Sequence, residues 1–296
     1  MTAPSIVEID EKLLKKSPLP LPGGDTDKDE RGRVIVVGGS ARVPGAPILS
    51  GLAALRAGAG KVQLAVPKSL ATNIGVAFPE VGVAGFGETE AGEPWPESCN
   101  EVCDIVDQAD AALVGPGLMD ERAAQALTTG LLTRTTKPIF VLDAVAVTGF
   151  AGDSEALACF PNRIVITPHA GEMAALTGSS KENVQRDPIS IAVKTARTLN
   201  CVVVLKGATT HIATADGQVF RHAGGVVGLA TSGSGDVLAG LLAALISRGT
   251  PVVQACAWSV FAHAQAGKNL TQKLGALGLI AREIADEIPL VFKSMI

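Results

Sequence analysis

At 296 residues, 47% of them apolar, the chain is long enough for one large α/β domain or two small ones and can bury a sizeable core. A net charge of −4 with 18% charged residues provides no basic field for nucleic acid, and the absence of Tyr argues against a base-stacking surface. The five cysteines are odd in number and include no C-x-x-C or metal-ligand spacing, so they read as reduced, buried thiols rather than disulfides or a zinc site.

The chain opens on "MTAPSIVEIDEKLLKK", which lacks the apolar core of a signal peptide. No apolar run approaches the ~18 residues needed to span a bilayer. A soluble, cytoplasmic protein is expected. The Pro/Gly/charge-rich stretch Ser17–Gly32 reads as an exposed loop before the first core strand. "RVIVVGG" (Arg33–Gly39) then reads as a buried strand. A helix follows, with Ile48, Leu52 and Leu55 on one face, and then a second strand at Lys61–Val66. Gly85–Asn100 reads as another loop. Further strands are expected at Ala111–Gly115, Pro138–Asp143, Arg163–Thr167 and Val202–Gly207. "HIATADGQVF" (His211–Phe220) has an Asp-Gly turn between two short strands and predicts a hairpin at the sheet edge. From Ser234 a helical pattern begins, with Leu238, Leu241, Leu242, Leu245 and Ile246 at helical spacing.

Continuous apolar strands separated by helices indicate an α/β fold of three layers, α/β/α, with a mostly parallel central sheet. No linker or internal repeat divides the chain, so residues 1–296 are expected to form a single domain, with 1–32 as an N-terminal segment and loop. In such sheets ligands bind beyond the carboxyl ends of the strands. Several strands here end in Gly, Asp, Thr-Pro-His or Lys-Gly, which gathers polar groups at that edge.

Three segments there can carry chemistry. In Gly233-Ser234-Gly235-Asp236, a glycine-rich turn opens a helix. The first N–H groups of a helix have no partners within it and attract phosphate, and glycines let a ligand come close. Asp236 repels a phosphate but can take a proton from a hydroxyl attacking it. Its plainer role is to steady the helix start. In "VVVLKGATT", Lys206, Gly207, Ala208, Thr209 and Thr210 follow a strand and can line a nucleotide; Lys206 alone reads equally as a strand-end lysine. In "ITPHAGEM", His169 can contact a substrate or make a structural hydrogen bond. Glu172 can orient hydrated Mg²⁺ or complement the helix dipole. His211, His222 and His263 read as core or surface histidines. No G-x-G-x-x-G or Walker-type loop occurs.

The segments "GRVIVVGGS…PGAPILSGLAALRAGAGKV", "GPGL", "VLDAVAV", "TPHAGEM", "VLKGATT" and "GLATSGSGDVLAG" together resemble the ADP/ATP-dependent NAD(P)H-hydrate dehydratase family of the ribokinase-like superfamily. They run in order from about Gly32 to Gly267 and cover nearly the whole chain. The family's usual epimerase partner domain is absent, so the resemblance is to a stand-alone dehydratase.

The resemblance implies nucleotide-dependent repair of hydrated NADH or NADPH. Asp236 would deprotonate the ring hydroxyl as it attacks the terminal phosphoryl group, and the phosphate ester would then eliminate. The backbone of Gly233, Ser234 and Gly235 would hold the phosphoryl oxygens. The hydrate would lie near Ala46, Gly117, His169 and Asp236, and ADP or ATP against Lys206, Gly207, Ala208, Thr209, Thr210 and Gly235, with Mg²⁺ carried on the nucleotide. A homo-oligomer is permitted by the apolar helical surfaces.

Three positions depart from the family pattern. Val145 replaces a usual Asp, Gly225-Val226-Val227-Gly228 replaces Gly-Asn-Pro-Gly, and D-x-x-K-G survives only loosely at Asp25–Asp29. Two other functions remain open on the residues alone: a small-molecule kinase of the same superfamily, and a nucleotide-binding protein with a degenerate site.

Overall fold

The computed structural model describes residues 5–21, 23, 27, 28 and 30–295. In chain order the elements are β1 (Ile6–Glu8), α1 (Glu11–Lys16), β2 (Arg33–Val37), α2 (Ala46–Arg56), β3 (Lys61–Pro67), α3 (Lys68–Ala77), β4 (Gly82–Phe86) and α4 (Ser98–Asp107). There follow β5 (Ala111–Val114), α5 (Glu121–Arg134), β6 (Ile139–Leu142), α6 (Val145–Thr148), β7 (Ile164–Ile166), α7 (Ala170–Thr177), α8 (Lys181–Arg186) and α9 (Pro188–Leu199). The chain closes with β8 (Val202–Leu205), β9 (Thr210–Ala213), β10 (Val219–His222), α10 (Ser234–Ser247), α11 (Val252–Leu274) and α12 (Ala281–Met295).

The strands form one ten-stranded sheet in the order β1-β10-β9-β8-β7-β6-β5-β2-β3-β4. All neighbours are parallel except the pairs that β9 makes with β8 and β10. The reason is visible in β2: Val34 and Val36 enter one apolar cluster while Ile35 and Val37 enter the other. A strand buried on both faces needs no polar alternation. The three-layer α/β/α architecture expected from the sequence is therefore present.

Two local expectations are corrected. The hairpin does not end the sheet, because β1 pairs in parallel with β10 through Ile6 and Val219. Gly85 and Phe86 belong to β4 and pair with Val66 and Pro67; the loop starts after them. On α2, Ile48, Leu52 and Leu55 share a face as expected and pack half-buried against the core, while Ala46, Pro47, Ser50, Gly51, Ala53 and Ala54 are the buried positions. The cause is close helix packing: a Cβ added at Gly240 of α10 would stand 2.1 Å from the Ser50 carbonyl oxygen. Only small residues fit at such an approach. Asp25, Thr26 and Asp29 of the loosely matching early motif lie outside the described residues.

α10 is buried almost all round, from Val237 to Ser247, so its leucines serve more than one face. It packs between α2 and α11 and carries its N-terminus to the carboxyl edge of the sheet. No helix among the described residues is long and apolar enough to cross a membrane.

Candidate functional site

The site grows from four strand ends. Beyond β7 and β8 the chains stay joined by a bridge between His169 and Lys206, with Lys206 N–H donating to the Pro168 carbonyl at 2.8 Å. This sets the start of α7 beside the Lys206 side chain. His169 is the N-cap of α7: its Nδ1 accepts from the Gly171 and Glu172 amides at 3.0 and 3.1 Å, and its own N–H donates to Glu172 Oε2 at 2.7 Å. This reciprocal arrangement satisfies helix-end donors on both sides. The structural role foreseen as one alternative for His169 is thus present, and the ring still lines the cavity described below.

Lys206 Nζ lies 2.6 Å from Asp143 Oδ1 and 3.9 Å from Glu172 Oε2. Asp143, at the end of β6, is buried and also accepts from Thr167 Oγ at 2.6 Å. Neither Asp143 nor Thr167 was nominated from the sequence. The available signal was a carboxylate directly after an apolar strand at the ligand-binding edge. The backbone there is forced: Ala144 has φ 51° and ψ −125°, outside the regions favoured by L-residues, and strain of this kind gathers at functional sites.

Asp236 stands in the first turn of α10, half-buried, and its carbonyl accepts from Ser50 Oγ of α2 at 3.0 Å. Burial, with the like charge of Asp143 adding and Lys206 opposing, pushes its carboxyl up to about 7. That value suits a general base near neutral pH. Burial likewise pushes Glu172 up, against the pull of Lys206. Lys206 is held above its ordinary value: burial opposes the charge, but Asp143 and Glu172 outweigh it.

The turn before α10 has the expected shape. Gly233 takes φ 86°, a conformation that favours glycine, and no side chain caps the helix. Ser234 departs from expectation. Its N–H donates to the Thr231 carbonyl at 3.3 Å, and its hydroxyl lies 3.1 Å from His263 Nε2. The amides of Gly235 and Asp236, which cannot find partners inside the helix, are therefore the donors best placed for an anion.

A cavity of about 640 Å³ opens beside this turn. Lys206, Gly207, Ala208, Thr210, Ser234, Gly235 and His169 line it, joined by His222, His263 and an apolar wall that includes Val226, Leu229 and Val260. Thr209 and Gly233 are outside its lining, and Thr210 is buried with its hydroxyl donating to the Gly207 carbonyl at 3.3 Å. His222 and His263, read from the sequence as core or surface histidines, are thus also cavity residues. Both are tied at one nitrogen: His222 Nδ1 lies 2.8 Å from the Ile9 carbonyl. Val226 and Val227, where the family pattern has Asn-Pro, supply apolar lining.

Ala46 and Gly117 meet at the start of α2, outside the cavity lining. Gly117 has φ 78°, and a Cβ there would stand 3.2 Å from Ala46 Cβ and 2.5 Å from the Val43 carbonyl oxygen. Ala46 sits one helical turn before Ser50, the residue that bonds to Asp236. The nominated residues thus fall into two groups, those that line the cavity and the Ala46–Gly117 corner, with the Asp236 backbone tied to α2 through Ser50.

Among the described residues no group of three His, Cys, Asp or Glu side chains is arranged to hold a metal ion. The positive charge between Asp143 and Glu172 is Lys206 itself. Glu172 keeps oxygen lone pairs beyond the one taken by the His169 amide. It fits an outer partner, through water, for an ion brought by phosphates.

Comparison with known proteins agrees with this arrangement. A family model described as NAD(P)H-hydrate dehydratase matches residues 34–290. The chain is 44% identical over 289 residues to the ADP-dependent (S)-NAD(P)H-hydrate dehydratase of Xanthomonas campestris pv. campestris, covering 98% of this chain and 97% of that protein. It is 36% identical to the bifunctional NAD(P)H-hydrate repair enzyme of Moorella thermoacetica, covering 95% of this chain and 53% of that one. A crystal structure of the ADP/ATP-dependent NAD(P)H-hydrate dehydratase of Bacillus subtilis, co-crystallised with ATP and Mg²⁺, superposes with a TM-score of 0.86 at 27% identity, covering 99% of this chain and 100% of that one. With the motifs, the ten-stranded sheet and these matches in agreement, the chain belongs to the NAD(P)H-hydrate dehydratase family.

Proposed function

We propose that this protein dehydrates NADH or NADPH hydrate with an adenine nucleotide as phosphoryl donor and restores the reduced nicotinamide. The observation that carries the chemistry is Asp236: a carboxyl raised to about 7, on the first turn of an uncapped helix, directly after Gly235, which lines a cavity of about 640 Å³. The carboxylate takes the proton from the ring hydroxyl as that oxygen bonds to the terminal phosphorus and the bond to the nucleotide's bridging oxygen breaks. The amides of Gly235 and Asp236 stabilise the charge on the phosphoryl oxygens. The C–O bond of the ester then breaks with loss of a proton from the adjacent ring carbon, which restores the double bond and releases phosphate. Phosphorylation serves to turn hydroxide, a poor leaving group, into a good one.

The nucleotide lies along Lys206, Gly207, Ala208, Thr210 and Gly235, with its base against Val226, Leu229 and Val260. Thr209 contributes through the backbone turn alone. The hydrate lies near Ala46, Gly117 and Asp236, with His169 on the wall it shares with the nucleotide cavity. Lys206 has two duties in this reading. It neutralises Asp143 and Glu172, and it draws the nucleotide phosphates. Mg²⁺, carried on those phosphates, supplies neutralisation of their charge, with Glu172 as its outer partner. In this reading residues 34–290, which the family model matches, act as one domain in a cytoplasmic repair role.

The test is incubation with NADH or NADPH hydrate, Mg²⁺ and either ADP or ATP. Recovery of reduced-nicotinamide absorbance with release of phosphate is expected. A stable phosphorylated product would make the protein a kinase instead, and nucleotide binding without turnover would make it a binding protein.

A further inference from the structure

Ser234 and His263 meet behind the anion-binding turn. The His263 Nε2 atom lies 3.1 Å from Ser234 Oγ and 3.0 Å from the Ser234 carbonyl oxygen. A carbonyl oxygen only accepts, so Nε2 must carry the proton. A bare nitrogen would face that oxygen with two lone pairs 3.0 Å apart. The same N–H reaches Ser234 Oγ, which therefore also accepts. The hydroxyl's own hydrogen is not spent on the imidazole. Both residues line the cavity, beside Gly235 and Lys206. Burial holds His263 down at about 4, so the ring stays neutral and its tautomer persists through the working range of the enzyme.

We propose that His263 is a positioning residue: by occupying Ser234 Oγ as an acceptor, it presents the Ser234 hydroxyl hydrogen to a phosphate of the bound nucleotide, as a third donor beside the Gly235 and Asp236 amides. This rests on the nucleotide reading of the cavity given above. It also accounts for a polar pair buried in an otherwise apolar helix junction. Ser234 and His263 face each other across α10 and α11 among alanines, leucines and valines.

The test is calorimetric binding of Mg·ADP and of adenosine to the full-length protein. Ser234→Ala is expected to weaken Mg·ADP about tenfold and to leave adenosine unchanged, the effect of one hydrogen bond to a charged acceptor. His263→Leu, which keeps the volume and loses the donor, should do the same. His263→Gln, whose amide carries an N–H to nearly the same place, should stay within about threefold of wild type. The double variant Ser234→Ala/His263→Leu should bind no more weakly than Ser234→Ala alone, because the two act as one unit. An unchanged Mg·ADP affinity in Ser234→Ala, an equal loss for adenosine, or additive losses in the double variant would overturn the proposal. If His263→Leu fails to fold, Ser234→Ala and the wild-type imidazole nitrogen shifts decide. The Nε2–H tautomer is expected, and the Nδ1–H tautomer would refute it. None of these readouts needs the hydrate. Their failure leaves the dehydration untouched, and a failed hydrate assay leaves them interpretable.

Discussion

Lys206 Nζ sits 2.6 Å from Asp143 Oδ1, deep in the carboxyl edge of the sheet. The lysine is thus committed to a carboxylate before any nucleotide arrives. Removing one member of a buried pair leaves the other charge without compensation, at a cost of about 3–5 kcal/mol. Lys206→Ala should lower unfolding stability by that order in denaturant titration at neutral pH, and it should weaken the nucleotide more than the hydrate. Removing both charges, as in Lys206→Met/Asp143→Asn, should recover much of the stability but not the activity. A fully stable Lys206→Ala with unchanged nucleotide affinity would contradict both duties of the lysine.

The raised carboxyl of Asp236 makes two signed predictions about pH. Only the carboxylate takes a proton, so kcat/KM for the hydrate should rise with pH through about 7. Asp143→Asn removes a like charge and frees Lys206, and both effects lower the Asp236 value. The acid limb should therefore move to lower pH; a limb that stays in place would remove Asp143 from this role. Stability follows the same shift. The group's ordinary value is 3.8, and the folded value is higher. Its contribution is full below about pH 4 and lost as pH rises through about 7. Asp236→Asn should therefore be more stable than the parent at pH 8, by a few kcal/mol at most, with the difference shrinking toward pH 4.

Much of this was legible in the sequence, for reasons that differ by element. The start of α10 was readable because glycines and hydroxyl residues precede an unbroken apolar period. The parallel strands were readable because burial on both faces leaves no alternation. β1 was not: three residues pair with a strand more than two hundred positions away, and nothing local marks them. On α2 the large apolar face was legible and packs on the core, but the small-residue face that meets Gly240 was not, because only the close helix approach gives it meaning. Asp143 and Thr167 do not stand out in the sequence because a lone polar residue after a strand is common, and only the distance from Asp143 to Lys206 gives the pair meaning. His263 reads from the sequence as a core or surface histidine, and it is buried. What the sequence could not show is that its partner is the first residue of the anion-binding turn.

The α2–α10 contact offers a test of how far the site depends on packing. Gly240 meets the Ser50 backbone, and Ser50 in turn bonds to the Asp236 carbonyl. Gly240→Ala inserts a methyl group where none fits and should cost about 1–3 kcal/mol. It should also lower kcat/KM, because it displaces Asp236 through Ser50 while leaving every nominated residue unmutated. Thermal unfolding and hydrate kinetics measured together check this. Lost stability with unaltered kinetics would show that the helix contact and Asp236 are not coupled.

The most direct measurement is turnover of NADPH hydrate by Asp236→Asn beside the parent protein, with Mg²⁺ and ADP or ATP, together with nucleotide affinity in both. The parent should regenerate NADPH and release phosphate. The variant should lose about 10²- to 10⁴-fold in rate while binding the nucleotide as before. A near-parental rate in Asp236→Asn would contradict the assignment of this carboxylate as the base.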